Sequence, residues 1–524
     1  MKKHLLYAGM VLTMACTATA QNKDAVKFSK TINSETAYKH LSVLASDEYE
    51  GRETGTKGGW MAADYIKNYF KELGLKGPVS GDYFQPIDMV TTKLSQVLTI
   101  NGQPAEAMKD FYIAPQSVGA EGFAFNANSI IFAGYGVNKE GYNDFEGKDI
   151  TGKVVMILRT GEPNATRNNL APKIKYLTEH KAAAILVIDP MVDAMPADLK
   201  NYLSSTQLTM KTKEEKQQAK VPQGTPVINV GTTAANLILA PGNVTLDALQ
   251  KQLKSTGKPV TREIGVTVTA SGKKDEAKVR AENVLGYLEG SDPKLKNEVL
   301  VVTAHYDHIG LVNDPEAKDK VNNGADDDGS GTTGVLMMAE AFSKAKKAGK
   351  GPKRSILFMT VTGEEKGLYG SEWYSENPIF PLENTIADLN IDMIGRGDKD
   401  HAADNNFVYI IGSDMLSTDL DRIGKKANKD YVNINLDERY NNRTDPNRFY
   451  YRSDHYNFAK HGIPVIFYFN GVHDDYHQPG DEVSKIDFPM LAKRAQLVYF
   501  TAWELANGAT RPKVDKNDDG TPKN

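Results

Sequence analysis

The sequence predicts an α/β protein: helices cover a mostly parallel, mixed central sheet, and a β-rich domain is inserted toward the N-terminal end. Three observations predict it. Short apolar runs recur in the second half of the chain, among them Val299 to Thr303, Ser355 to Val361, Ile386 to Ile391 and Pro464 to Phe469. They lack the apolar–polar alternation of a sheet with one wet face and read as strands buried on both sides. The amphipathic run Thr332 to Lys347 lies between the first two, and strands alternating with helices build a parallel sheet with helices on its faces. Between about residues 96 and 262 the texture differs: β-rich runs such as Ser129 to Ala133 and Lys153 to Leu158 sit between Gly and Asn/Asp turns, the mark of a separate, smaller domain.

Taken in order, the chain opens with Lys2 and Lys3, an apolar run from Leu5 to Met14, and Ala18-Thr19-Ala20. A charged start, a short apolar core and an A-x-A end make an export signal too short to span a bilayer. Residues 1–20 are therefore expected to be removed and the protein to be periplasmic or secreted. The only cysteine, Cys16, lies in this segment, so cleavage after Ala20 leaves no disulfide. The alternative, cleavage before Cys16 with a lipid attached there, is weakened by Thr13 where a lipoprotein signal has Leu. Residues 21–95 form the first part of the larger domain. In it Leu41, Leu44 and Ala45, then Ala62, Tyr65, Ile66, Tyr69, Phe70 and Leu73, recur at helical spacing. The polar, Gly-rich stretch Ser46 to Gly59 separates the two helices, and Gly74 ends the second. Within the insert, a helix is expected at Ala171 to His180 before the strand Ala184 to Ile188, and the charged run at 211–220 is expected to be solvated. Residues 263–508 carry the α/β pattern. Residues 509–524 are polar and expected to be a disordered tail.

Composition excludes some functions. The chain has 524 residues, 40% hydrophobic and 25% charged, with a formal net charge of -4. That is room for two or three domains and lacks the basic excess that a nucleic-acid surface needs. No later stretch is apolar and long enough to span a bilayer.

Ligands of open α/β sheets gather beyond the C-terminal ends of strands, and here those ends carry acids and histidines. One strand ends in Ala304-His305-Tyr306-Asp307-His308, and Asn323-Gly324-Ala325-Asp326-Asp327-Asp328-Gly329-Ser330-Gly331 opens the following helix. The next strand ends in Thr362-Gly363-Glu364-Glu365, another carries Asn390-Ile391-Asp392-Met393, and a later loop holds Asp475-Tyr476-His477-Gln478-Pro479. Singly, each has a bland reading as surface, turn or helix cap. Together, carboxylates converging at strand ends would repel one another unless a cation neutralised them. Imidazole with carboxylate suits zinc, and this many acids suggests two metals sharing a bridging carboxylate.

This set, in this order, resembles the co-catalytic zinc exopeptidases, which include the bacterial leucyl aminopeptidases and glutamate carboxypeptidase II. The insert resembles the protease-associated (PA) domain of some members, in Ala133-Gly134-Tyr135-Gly136 and in Gly147 to Val155. The early Leu44 to Glu48, followed by Glu50-Gly51-Arg52-Glu53-Thr54-Gly55-Thr56, is similar too. The resemblance implies a three-layer αβα zinc-exopeptidase fold and two zinc ions per chain. It implies that His305 and Asp392 hold one ion, His477 and Glu365 the other, and that Asp327 bridges them; the Asp327–Asp328 peptide is often cis in that family. It assigns Glu364 as general base and Asp307 as the group that orients His305. A tyrosine hydroxyl assists in some relatives; Tyr450 is the candidate here, with Tyr451 the alternative, and His308 and His455 are left as supporting or structural residues. The implied activity is that of an aminopeptidase on peptide substrates. Alternatives are a carboxypeptidase or dipeptidase, a glutaminyl cyclase, and a binding protein without catalysis; neither side-chain preference nor oligomeric state is expressed in these motifs.

Overall fold

A computed structural model describes residues 21–162, 170–211, 224–314, 316–517 and 519–523. The expected leader with Cys16, and residues 212–220 of the charged run, lie outside the described residues. The chain divides into two units, one running to Ile87 and resuming at Arg280, the other spanning Asp88–Val279.

The first unit is built on an eight-stranded sheet. In chain order its strands are β1 (Phe84–Pro86), β2 (Glu282–Leu288), β3 (Val299–His305), β4 (Ser355–Val361), β5 (Thr385–Ile391), β6 (Phe407–Ile411), β7 (Asn435–Asp437) and β8 (Val465–Phe469), and across the sheet they run β1-β2-β4-β3-β5-β8-β6-β7. The four central strands, β4, β3, β5 and β8, are mutually parallel. Antiparallel pairings of β2 with β4 and of β6 with β8 make the sheet mixed.

Side-chain alternation divides the core into two layers. Leu300 and Val302 of β3 and Ile356 and Phe358 of β4 pack in one cluster with the helices Ser34–Leu44, Lys57–Leu73, Gly331–Lys347 and Phe488–Asn507. Val299 and Val301, with Leu357 and Met359, face the other cluster, against the helices Tyr369–Glu376 and His455–Ala459. Helices on both faces are what the runs without alternation required. The helix Lys57–Leu73 stops where Gly74 takes a left-handed φ of 78° and its N–H caps the last turn.

The second unit is larger than the expected 96–262. Met89–Ile100 and Val268–Val279 pair antiparallel along their whole length, so both belong to the insert. The change of texture near residue 96 falls in the middle of a strand, which is why composition placed the border too late. The unit holds a five-stranded sheet containing this pair and a six-stranded sheet with Ile130–Ala133, Val154–Leu158, Ala184–Ile188 and Val227–Val230 parallel in its middle.

The expected disordered tail is corrected over its described part. Arg511 donates to the carbonyls of Glu383 and Thr385, at 2.9 Å each. Asp515 accepts from the backbone of Thr418, and Lys516 reaches Asp414 at 3.0 Å. Polar composition suggested solvent; these side chains instead satisfy strand-end carbonyls and a helix start.

Phe358 is fully buried in the first cluster, so Phe358→Ala should cost about 3–5 kcal/mol, read as a lower denaturant midpoint. Val97, 50% exposed, should tolerate Ala within about 0.5 kcal/mol.

Candidate metal centre

His305 is the last residue of β3, Glu364 and Glu365 follow the turn after β4, and Asp392 follows β5 directly. Asp327 lies in the turn Ala325–Ser330 that opens the helix Gly331–Lys347, and His477 lies in the loop after β8. Parallel strands deliver the first four to one edge of the sheet. Nε2 of His305 lies 3.4 Å from Asp327 Oδ1 and 3.6 Å from Asp392 Oδ1. Nε2 of His477 lies 3.1 Å from Asp327 Oδ2 and 3.1 Å from Glu365 Oε2. The structure thus brings His305, Asp327, Glu365, Asp392 and His477 together, with Asp327 offering one oxygen to each histidine. Glu364 Oε2 stands 4.0 Å from His305 Nε2.

Buried backbone donors hold the loops. Asp328 accepts from His305 N–H at 3.1 Å, Gly331 N–H at 2.9 Å and Met393 N–H at 3.0 Å. Asp481 accepts from the N–H groups of Asp326 and Asp327. The outer acids of the triple are thereby occupied: Asp326 accepts from Gly395 N–H and the Asn470 amide. The Asp327–Asp328 peptide is cis. Ser453 Oγ donates to Asp392 Oδ2 at 2.6 Å, and its own oxygen accepts from the Asn390 amide.

Two expected roles change. Asp307 does not hold His305 by its carboxylate, which is 3.7 Å from Nδ1; its backbone carbonyl is nearer, at 3.1 Å. The carboxylate instead accepts from Thr54 Oγ at 2.8 Å and Glu364 N–H at 3.3 Å, so it positions the Glu364 turn. Tyr450 is buried and is not among the residues lining the cavity beside the cluster. Its ring packs with those of Tyr451, His455 and Tyr456. The cause is the 3₁₀ turn Phe449–Tyr451: positions three apart share a face in such a turn, so Phe449 and Arg452 line the cavity while Tyr450 turns inward. The tyrosine at the cavity is Tyr476, stacked on the His477 ring at 3.9 Å.

Sequence reasoning left His308 as a supporting or structural residue and did not single out Arg52. His308 is fully buried with Nδ1 2.8 Å from Glu365 Oε1. Its ring occupies the space a Cβ on Gly324 would fill, at 2.5 Å. The signal was its place one residue beyond Asp307, on the same strand end. Arg52, 1% exposed, donates to the carbonyls of Leu44, Tyr306, Asn323 and Gly324. Its contacts lie far along the chain, and only the resemblance of its segment hinted at a role.

The electrostatics favour a cation. Burial, with the charges of Glu365 and Asp392 alongside, pushes the Glu364 carboxyl well above the usual range. Against the effect of burial, Asp327 and Glu365 lift the His477 imidazole to about 10. Nδ1 of His308, Nε2 of His477, Asp327 Oδ2 and Glu365 Oε1 approach one another at 2.8 to 3.8 Å without the geometry of a hydrogen bond. Buried donor atoms left unmatched are costly, and a divalent cation matches them. Two groups of possible ligands emerge, His305 with Glu364 and Asp392, and His308 with Asp327 and Glu365.

Residues 283–502 match the profile described as "Peptidase family M28". This part of the chain is thus similar to the domains of peptidase family M28. The match runs from β2 into the last helix and includes every residue of the cluster. A protein named "Probable zinc metalloprotease" from Pyrenophora teres f. teres is 26% identical over 297 residues, which are 51% of this chain and 60% of that protein. "Leucine aminopeptidase 1" of Sclerotinia sclerotiorum is 30% identical over 220 residues, 41% of this chain and 54% of that protein. The chain spans between 54% and 63% of the length of such curated relatives. Among solved structures, the aminopeptidase from Aneurinibacillus sp. strain AM-1 is 18% identical, with a TM-score of 0.47, 95% of this chain and 100% of that chain being covered.

If this cluster is a cation site, zinc at about 100 times its Kd should stabilise the protein by roughly 2.7 kcal/mol, seen as a higher Tm by calorimetry. Asp327→Ala should remove most of that rise, and an unchanged rise would place the cation elsewhere.

Proposed function

We propose that this chain is a zinc-dependent aminopeptidase that removes N-terminal residues from peptides. The observation that carries the reading is the meeting of His305, Asp327, Glu365, Asp392 and His477 beside a cavity lined by His305, Asp327, Glu364 and Asp392. The M28 match and the names of the relatives support the same chemistry. In this reading His305 and Asp392 would hold one zinc and His477 and Glu365 the other, with Asp327 contributing between them. Zinc there would supply Lewis acidity, polarising the scissile carbonyl and making water acidic enough to react near neutral pH.

The chain's own residues do the rest. Glu364 accepts the proton of the attacking water and delivers it to the departing amine. Its position in a buried, acid-rich site is what a carboxylate needs in order to hold a proton between those steps. Asp307 and Thr54 fix the Glu364 turn. Ser453 keeps Asp392 oriented, and Tyr476, stacked on His477, walls the cavity. The same proposal includes export directed by residues 1–20 and a PA-like identity for the inserted unit, which its Ala133-Gly134-Tyr135-Gly136 phrase supports.

Glu364→Gln should lower kcat by about 10²–10⁴-fold while zinc per protein, measured by metal analysis, stays at the wild-type value. A panel of free and N-blocked peptides decides the direction of attack. Release of the first residue from free peptides alone is expected, whereas trimming of blocked peptides from the C-terminus would replace aminopeptidase with carboxypeptidase.

A further inference from the structure

The cavity beside the cluster has an apolar wall formed by Met393, Phe449, Phe467, Phe469 and Val472, and one cationic side chain, Arg452. An arginine at an apolar wall next to buried carboxylates is not there for solubility. Its guanidinium lies over the Phe449 ring, 5.1 Å from the centroid, and the residue is exposed.

Its polar partners set it apart. Among the described arginines of this unit, Arg280, Arg354, Arg396, Arg422 and Arg439 pair with carboxylates. Arg52, Arg443, Arg494 and Arg511 donate to backbone carbonyls. Arg448 and Arg452 have neither an ion pair nor a side-chain hydrogen bond among the described residues, and of these two only Arg452 lines the cavity. A guanidinium lying over a ring face is steadied by that cation–π contact while its N–H donors stay available to a ligand. The ligand that fits such an edge is a carboxylate, taken in two parallel hydrogen bonds.

Taking the cavity as the substrate site of the proposed aminopeptidase, we infer that Arg452 is a specificity residue that recognises a carboxylate of the substrate while the apolar wall receives a side chain. The carboxylate has two possible sources: the free C-terminus of a dipeptide, one residue beyond the cleaved bond, or an acidic side chain on the N-terminal residue.

The test uses two matched pairs on the zinc-loaded protein, Leu-Gly against Leu-Gly-amide and Glu-anilide against Gln-anilide. For each pair kcat/KM is measured with the wild type, Arg452→Gln and Arg452→Lys. Binding of the same pairs is measured by calorimetry on Glu364→Gln with and without Arg452→Gln. The expected result is a preference for the acid member of one pair, carried in KM, that falls about tenfold in Arg452→Gln and is partly kept in Arg452→Lys. The pair that shows it names the source. Equal preference in wild type and Arg452→Gln, or no preference in either pair, overturns the inference. Failure of the aminopeptidase reading looks different: no member of either pair is hydrolysed, while the acid preference in binding, and its loss with Arg452, persists.

Discussion

A concentration of buried negative charge governs this structure. Asp307, Asp326, Asp327, Asp328, Asp392 and Asp481 are all buried near one edge of the sheet, and Glu364 and Glu365 stand beside them. Unpaired, each would cost several kcal/mol. The fold divides them into two classes. One class is satisfied from within: Asp328 and Asp481 take backbone N–H groups, Asp326 takes a backbone N–H and the Asn470 amide, and Asp307 takes Thr54 and the Glu364 N–H. The second class, Asp327, Glu365 and Asp392 with their histidines, has oxygens pointing at imidazole nitrogens with no proton geometry to join several of them. The first class is a frame around the second and keeps its members from moving apart.

Sequence made the second class legible better than the first. His305, Glu364, Glu365 and Asp392 follow from the rule that open α/β sheets place chemistry at the C-terminal ends of their strands, once the apolar runs are recognised. Asp327 is a harder case, since three consecutive acids are chemically alike. What separates the middle one is which backbone donors reach Asp326 and Asp328, and those include Gly395 and Met393, more than sixty residues away. Arg52 and Asp481 were hidden for the same reason, because a residue that bonds to distant carbonyls or N–H groups leaves no local periodicity. Tyr450 shows the opposite failure. Its position before Ser453-Asp454-His455 suggested a role, but a turn of three residues decides which of several adjacent aromatics faces the cavity, and no composition encodes that.

The insertion illustrates how topology limits damage. The chain leaves the first unit at Ile87 and returns at Arg280. Pro86 of β1 and Glu282 of β2 are direct antiparallel partners, and Ile87 N–H still donates to the Ala281 carbonyl at 2.9 Å. The exit and return are therefore adjacent rungs of one ladder at the sheet's edge. A whole domain can be carried there because the loop it closes has ends already held together, so the central strands that present the ligands need no change of register.

Part of the backbone strain lies at the same edge. Met393, His477, Leu368 and Arg448 all have φ between 57° and 62°, a region that non-glycine residues enter at a cost of about 1–3 kcal/mol each. Such strain persists only where the surroundings over-determine it. At Met393 they do: its N–H donates to Asp328 and its carbonyl accepts from Asn470 N–H at 2.7 Å. That turn lets the chain reverse directly after Asp392, so the ligand keeps its place at the strand end while the chain returns over the helix start at Gly331. The positive φ at His477 similarly presents its imidazole to Asp327 and Glu365 from a loop that no strand supports. The frame thus offsets the conformational cost of placing these acids and histidines with backbone hydrogen bonds to Asp328 and Asp481.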